Sequence, residues 1–141
     1  MSARFLRIAV IWFAAGVLLG AYMGISHQHL DKQVHVHGLL LGWVSCALFA
    51  LVHRVWPVMA SFRAAVAHLW LHNLGLVLLI VGLVLERRES AMAGPFLGGG
   101  TVALVAATGL FAWCVWRSTA RDAEPSTNDP EMMGERLHAQ V

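Results

Sequence analysis

Four long apolar runs alternate with short polar segments along this chain. The runs cover residues 5–24, 34–56, 64–85 and 95–116, and most charged side chains lie at their ends or between them. An α-helix rises about 1.5 Å per residue, so about 20 residues cross a hydrocarbon layer of about 30 Å. The pattern therefore predicts an all-α integral membrane protein, with a bundle of four transmembrane helices in residues 1–116.

Helix-breaking and polar residues mark the ends of these runs. Residues 26–33, SHQHLDKQ, form a polar loop before the second helix, and Pro57 is expected to end that helix because proline cannot continue the hydrogen-bond ladder. Pro95 suits the first turn of the fourth helix. Residues 117–141 are polar and contain prolines, so we expect a cytoplasmic tail that is disordered or only briefly helical.

Composition supports a membrane location. Hydrophobic residues make up 58% of the 141 positions and charged residues only 13%, whereas a soluble domain carries about 25% charged residues. The formal net charge of +2 gives no sign of a nucleic-acid partner. Lysine and arginine accumulate on cytoplasmic loops, which predicts both termini inside. In that orientation the inner side holds Arg4, Arg7, Arg54, Arg63, Arg117, Arg121 and Arg136, and the outer side holds Lys32, Arg87 and Arg88.

Small residues recur at every fourth position on two of the predicted helices. They are Gly16, Gly20 and Gly24 on the first helix, and Gly38, Gly42 and Cys46 on the second. Such a strip allows another helix to approach closely. The strip on the second helix admits either a neighbouring helix or a flat macrocycle, and helix packing is the commoner reason for such a strip.

The histidines fall into an outer pair and an inner trio. His35 and His37 lie two residues apart at the outer end of the second helix, so their side chains point about 200° apart. Each could serve a different ligand, or one could face a cofactor while the other faces a neighbouring helix. His68 and His72, four residues apart on the third helix, share a face. His53 lies at the inner end of the second helix, where a solvated interfacial role is the simpler interpretation. Interfacial solvation is also the alternative for each of the others.

A family resemblance extends over about residues 5–116. The segment HVHGLLLGWVSCALFALVHRVWP, followed by HLWLHNLGLVLLIVGL, resembles small four-helix membrane proteins similar to subunit I of haem-copper oxidases and nitric oxide reductases. The second helix of those proteins opens with H-x-H, continues to an LLGW-like segment and ends in a basic-aromatic-proline stop. The residues that match are His35, His37, Leu41, Gly42, Trp43, Arg54 and Pro57.

The resemblance implies a non-covalently bound haem b. In the large oxidase subunits each histidine of the H-x-H pair holds a different haem iron, so His37 is the preferred axial ligand here and His35 would serve a second haem or a ligand-binding iron. The implied cofactor-binding residues are His35, His37, Gly38, Gly42 and Trp43.

The chain matches only one of the three four-helix arcs of such a subunit. This implies a homotrimer in a bacterial-type inner (cytoplasmic) membrane, working in electron transfer with a redox partner. No counterpart of the copper site is present, and Tyr22 is the only tyrosine. Oxidase activity is therefore not expected of the single chain.

Two alternatives remain open. In the first, imidazoles bind or transport copper or zinc, with an inner site at His53, His68 and His72 and an outer one at His27, His29 and Asp31; His35 and His37 are further candidate ligands. In the second, the chain is an assembly subunit without a cofactor. The sequence contains no P-loop, dinucleotide fingerprint or nucleophile elbow, so no catalytic residue is assigned.

Overall fold

Four long helices make up the part of the chain that the structure describes. The computed structural model covers residues 1–122, with side chains through residue 120, and this part is helical without any strand. The helices are α1 (Ser2–Ser26), α2 (Lys32–Val55), α3 (Arg63–Arg87) and α4 (Ala93–Asp122). Each is long and apolar enough to cross a membrane. The predicted all-α architecture with four candidate membrane spans is confirmed.

The helix ends follow the sequence signals at α2 and depart from them at α4. Helix α2 ends at Val55, and a short 3₁₀ helix, Pro57–Ser61, leads toward α3. Helix α4 runs through Asp122, six residues beyond its predicted end at residue 116. Ser118 is buried there, and its hydroxyl donates to the Cys114 carbonyl at 2.8 Å. The rest of the predicted tail lies outside the described residues.

Helix α2 contains a segment of π-helix that the sequence analysis did not predict. The segment Gly38–Val44 separates two α-helical parts, Lys32–His37 and Ser45–Val55. The Ser45 backbone N–H donates to the Leu40 carbonyl, five residues back, which is the spacing that defines a π-helix. The Ser45 hydroxyl donates to the same carbonyl at 3.0 Å. The segment therefore changes the direction in which later side chains of α2 leave the helix.

Helices α3 and α4 form a hairpin with direct backbone contact. A Cβ atom added at Gly100 would lie 2.6 Å from the backbone nitrogen of Leu79, and one at Gly82 would lie 2.8 Å from that of Leu97. Only glycine permits this approach, because backbone atoms have no side-chain torsion through which to move away.

Helices α1 and α2 form the other hairpin, in which side chains fill the spaces left by glycines. Leu39 occupies the space beside Gly16, and Trp12 occupies the space beside Gly42. A Cβ added at Gly24 would meet nothing within 4 Å. The predicted glycine interface of α1 is confirmed at its first two positions, Gly16 and Gly20, and the strip on α2 accommodates a side chain of α1.

Candidate functional site

The outer histidine pair divides between two sides of α2, as its spacing predicts. The ring of His35 faces α1, where its Nδ1 lies 3.0 Å from the Gly16 carbonyl oxygen. A carbonyl only accepts, so this nitrogen carries the proton. The ring lies over Gly20, where an added Cβ would come within 2.8 Å of its Cε1 atom. The missing side chain at Gly20 therefore makes room for His35.

His37 is held in an orientation suited to a ligand. Its Nδ1 donates to the Gln33 carbonyl at 2.8 Å, one turn earlier on the same helix. A neutral imidazole with the proton on Nδ1 has its lone pair on Nε2, which is the arrangement of a metal-binding histidine fixed by a backbone acceptor. The Nε2 atom makes no hydrogen bond to any residue within 1–122.

His37 lines a groove between α2, α3 and α4. The groove has a volume of about 380 Å³ and is mainly apolar. Its other lining residues are Leu41, Leu79, Thr101, Leu104, Val105 and Thr108. The hydroxyl of Thr108 donates to the Leu104 carbonyl at 2.9 Å, so it is not available to a ligand as a donor. The groove thus offers an apolar surface with an imidazole on one wall.

The other predicted cofactor residues lie on the α1 side of α2. Trp43 packs against Phe13, with ring centroids 4.8 Å apart. Gly38 and Gly42 both face Trp12. A Cβ atom added at Gly38 would lie 3.8 Å from the Trp12 ring. Among the five residues predicted to bind a cofactor, His37 is therefore the one that lines this groove.

The inner trio is buried between the two hairpins. The exposed fractions of His53, His68 and His72 are 4%, 1% and 4%. His53, expected as an interfacial residue, is therefore packed inside the bundle rather than exposed at its surface. The reason is Phe5 of α1, which is fully buried and stacks on the His53 ring with centroids 5.4 Å apart.

Phenylalanine rings surround the other two members of the trio. Phe49 lies edge-on to both, with centroids 4.6 Å from His68 and 5.1 Å from His72. Phe5 and Phe111 lie 5.3 Å and 5.2 Å from the His68 ring. All four helices thus contribute a ring to this cluster, which joins the two hairpins.

Hydrogen bonding is incomplete in the inner trio. His72 Nε2 donates to the Leu41 carbonyl, within the π segment, at 3.0 Å. Both ring nitrogens of His53 and Nε2 of His68 are buried without a partner among the described residues. Leaving a polar atom buried and unpaired costs about 1–3 kcal/mol, so these atoms oppose folding.

The geometry does not assemble a multi-ligand metal site from the trio. Within residues 1–122, no group of three or more His, Cys, Asp or Glu side chains is placed to hold one ion. In the outer loop, Asp31 is engaged by Arg87, with the two charged groups 2.6 Å apart. Cys46 and Cys114 are both free and buried.

No protein family, curated protein or solved structure matches this chain. The resemblance to the oxidase subunit therefore depends on the H-x-H pair and the sequence around it.

Sequence reasoning missed the phenylalanines of the inner cluster and the α4 wall of the groove. Phe49 and His53 are four residues apart on α2, a spacing that placed them on one face and was a usable signal. Thr101 and Leu104 had no such signal, because their position depends on how closely α4 approaches α3 at Gly100.

Proposed function

We propose that this chain is a multi-pass membrane protein that binds a haem b through His37 and takes part in electron transfer. The observation that carries the proposal is the Nδ1 hydrogen bond of His37 to the Gln33 carbonyl, with the same ring on the wall of an apolar groove. Together they provide a neutral imidazole with a free lone pair beside a water-poor surface, which is what an axial haem ligand needs.

The residues of the groove suit a flat apolar group. Leu41, Leu79, Leu104 and Val105 present aliphatic surface from three helices. Their role is to bind the macrocycle by burying apolar area and to keep water away from the iron. A bound haem would supply one-electron chemistry, and its potential would be set by the axial imidazole and by this burial.

His35 has a different position and a weaker claim as a ligand. Its ring is tied to α1 through Gly16 and packs over Gly20, away from the groove of His37. We assign it first to fixing α1 against α2. Its role as the ligand of a second haem or of a ligand-binding iron stays a prediction.

We further propose an orientation with both termini on the cytoplasmic side of a bacterial-type inner membrane. Arg4, Arg54 and Arg63 lie at the end of the bundle where α1 begins, α2 ends and α3 begins. The opposite end holds Lys32, Arg87 and Arg88. Arg7 and Arg117 add to the first end, so the basic residues are more numerous there, and the positive-inside rule favours a cytoplasmic position for that end.

A homotrimer with haem between protomers remains part of the proposal. The groove of His37 is open on one side, so a haem held there would be only partly covered by a single chain. A second copy is the simplest cover, given the resemblance to one arc of a three-arc subunit. A redox partner would then reach the cofactor from the outer side, where His37 lies.

The experiment is an optical spectrum of detergent-purified protein expressed with a supply of haem, oxidised and then reduced with dithionite. We expect a Soret band that shifts on reduction, with iron in proportion to extracted haem. Copper or zinc without pigment would reject haem and support the metal-binding alternative. A colourless, metal-free protein that purifies with another subunit would reject both and support an assembly role.

A further inference from the structure

A second groove lies at the other end of the molecule, between α1 and α2. It has a volume of about 430 Å³ and an almost wholly apolar lining. The lining residues are Ser2, Leu6, Ala47, Ala50, Leu51 and Arg54. None of them lines the groove of His37, so the two grooves are separate.

The groove is polar at one end and apolar at the other. Ser2 and Arg54 lie where α1 begins and α2 ends, whereas Leu6 and Ala47 lie further along the two helices from that end. Seven residues separate Arg54 from Ala47, which corresponds to about 10 Å along a helix. The small side chains of Ala47 and Ala50 create the depression, and Leu6 and Leu51 form its rims.

The described side chains at this end include several arginines. Arg54 is exposed and forms no ion pair with any described residue, and Arg4 and Arg7 lie in the first turns of α1. Among the side chains that the structure describes, the acidic ones are Asp31, Glu86 and Glu89, all at the opposite end of the helices, whereas Asp122 ends α4 at this end. A guanidinium without an ion-pair partner among the described residues, above an apolar channel, is complementary to an anionic headgroup above an acyl chain.

We propose that this groove binds an anionic phospholipid, with an acyl chain along Leu6 and Ala47 and the phosphate at Arg54. The inference depends on insertion in a membrane, as proposed above, but not on haem binding. Its volume lies in the range of about 300–1,000 Å³ that is usual for small-molecule sites. The guanidinium of arginine suits a phosphate oxygen, because its planar donors match the acceptor geometry.

The test is native mass spectrometry of the detergent-solubilised full chain, titrated with phosphatidylglycerol or with phosphatidylcholine of the same acyl chains. We expect phosphatidylglycerol to bind about tenfold more tightly, which corresponds to about 1.4 kcal/mol. Arg54→Gln should reduce this preference to nearly none while leaving weak binding of both lipids. Equal binding of the two lipids to the unaltered protein would overturn the proposal.

A matched control and a second variant keep the test specific. Arg117→Gln removes the same charge from α4, where the guanidinium lies over the Trp113 ring, and should leave the lipid preference unchanged. Leu6→Phe adds bulk at an exposed rim and should weaken both lipids alike. Should Arg117→Gln reduce the preference as much as Arg54→Gln, the effect is general charge and the site is rejected. A dimer that Leu6→Phe dissociates would likewise reject it, since a second copy then fills the groove.

Haem content provides the separation from the proposed function. Arg54→Gln should leave the Soret band unchanged, because the groove of His37 has no lining residue in common with the lipid groove. A protein without haem that still selects phosphatidylglycerol would retain this inference and reject the haem proposal alone.

Discussion

The outer and inner histidines place the same chemical group in two different situations. His37 is partly exposed, has one ring nitrogen satisfied by a backbone carbonyl and lines a groove. His68 is 1% exposed, enclosed by phenyl rings and without a partner at Nε2. The comparison teaches that burial alone does not identify a binding histidine. A ring with one nitrogen oriented by the backbone and the other facing open space is the better candidate.

The largest expected effect comes from removing the groove-facing ring. If the proposed axial ligand is His37, His37→Ala should lower haem bound per protein at least about tenfold, because that ligand is lost while the apolar walls remain. The measurement is the Soret absorbance of the dithionite-reduced protein at equal protein concentration. His29→Ala, in the exposed loop before α2, is the matched control and should leave the band intact. If His37→Ala leaves the haem content unchanged, His37 is not the haem ligand. If His68→Ala removes the haem instead, the ligand belongs to the inner trio.

The second effect concerns the ring that faces α1. Gly20→Ala places a methyl group 2.8 Å from His35 Cε1, so the ring must move and its hydrogen bond to Gly16 is weakened. We expect the free energy of unfolding to fall by about 1–2 kcal/mol relative to the control, from crowding and the lost hydrogen bond.

The control is Gly24→Ala on the same helix, where an added Cβ meets nothing within 4 Å. It should be neutral or stabilise by about 0.5–1 kcal/mol, since alanine favours a helix over glycine. Thermal unfolding in detergent, followed by circular dichroism, measures both variants. Identical behaviour of the two would show that His35 does not depend on the space at Gly20.

A third test compares two members of the inner trio. His68→Leu removes an unpaired Nε2 from an apolar cluster and should be neutral or stabilise the bundle by about 1 kcal/mol. His72→Leu removes the donor to the Leu41 carbonyl and should destabilise it by about 1 kcal/mol. Unfolding in increasing sodium dodecyl sulfate compares the two under one condition. Equal destabilisation by both would mean that His68 Nε2 has a partner, such as water, that stabilises the fold.

The smallest effect is expected at the outer polar ends. Asp31 and Arg87 are paired across the loops at 2.6 Å, with side-chain exposures of 22% and 39%. Because the pair is partly exposed, Asp31→Asn should cost only about 0–1 kcal/mol, and less in high salt. Thermal unfolding at low and high salt measures this. A large, salt-independent loss would indicate that the pair sets the arrangement of the outer histidines.

Local patterns predicted the parts of the fold that local chemistry determines. Apolar run length gave the four helices, Pro57 marked the stop after α2, and the two-residue spacing placed His35 and His37 on different sides. Glycine spacing on α1 predicted close packing, which the structure has at Gly16 and Gly20.

Long-range packing was not predictable in the same way. His53 was expected at an interface, but Phe5, 48 positions earlier, covers it. That contact depends on how the two helical hairpins pack against each other. Helical periodicity describes one helix at a time and does not predict that packing. The α4 wall of the His37 groove was missed for the same reason, since Thr101 reaches it through the backbone contact at Gly100.

The π segment of α2 fixes a rotational offset between the two ends of that helix. Each residue turns an α-helix by about 100°, and a π turn accommodates roughly one extra residue. Side chains after Val44 therefore leave the helix about one residue's rotation away from their positions in an uninterrupted α-helix. Shortening Gly38–Val44 by one residue would swing Phe49 and His53 around the helix axis while the H-x-H pair stayed in place. These seven residues thus set the angle between the side chains of α2 that precede them and those that follow. One helix can therefore place His37 at its groove and Phe49 and His53 in the aromatic cluster.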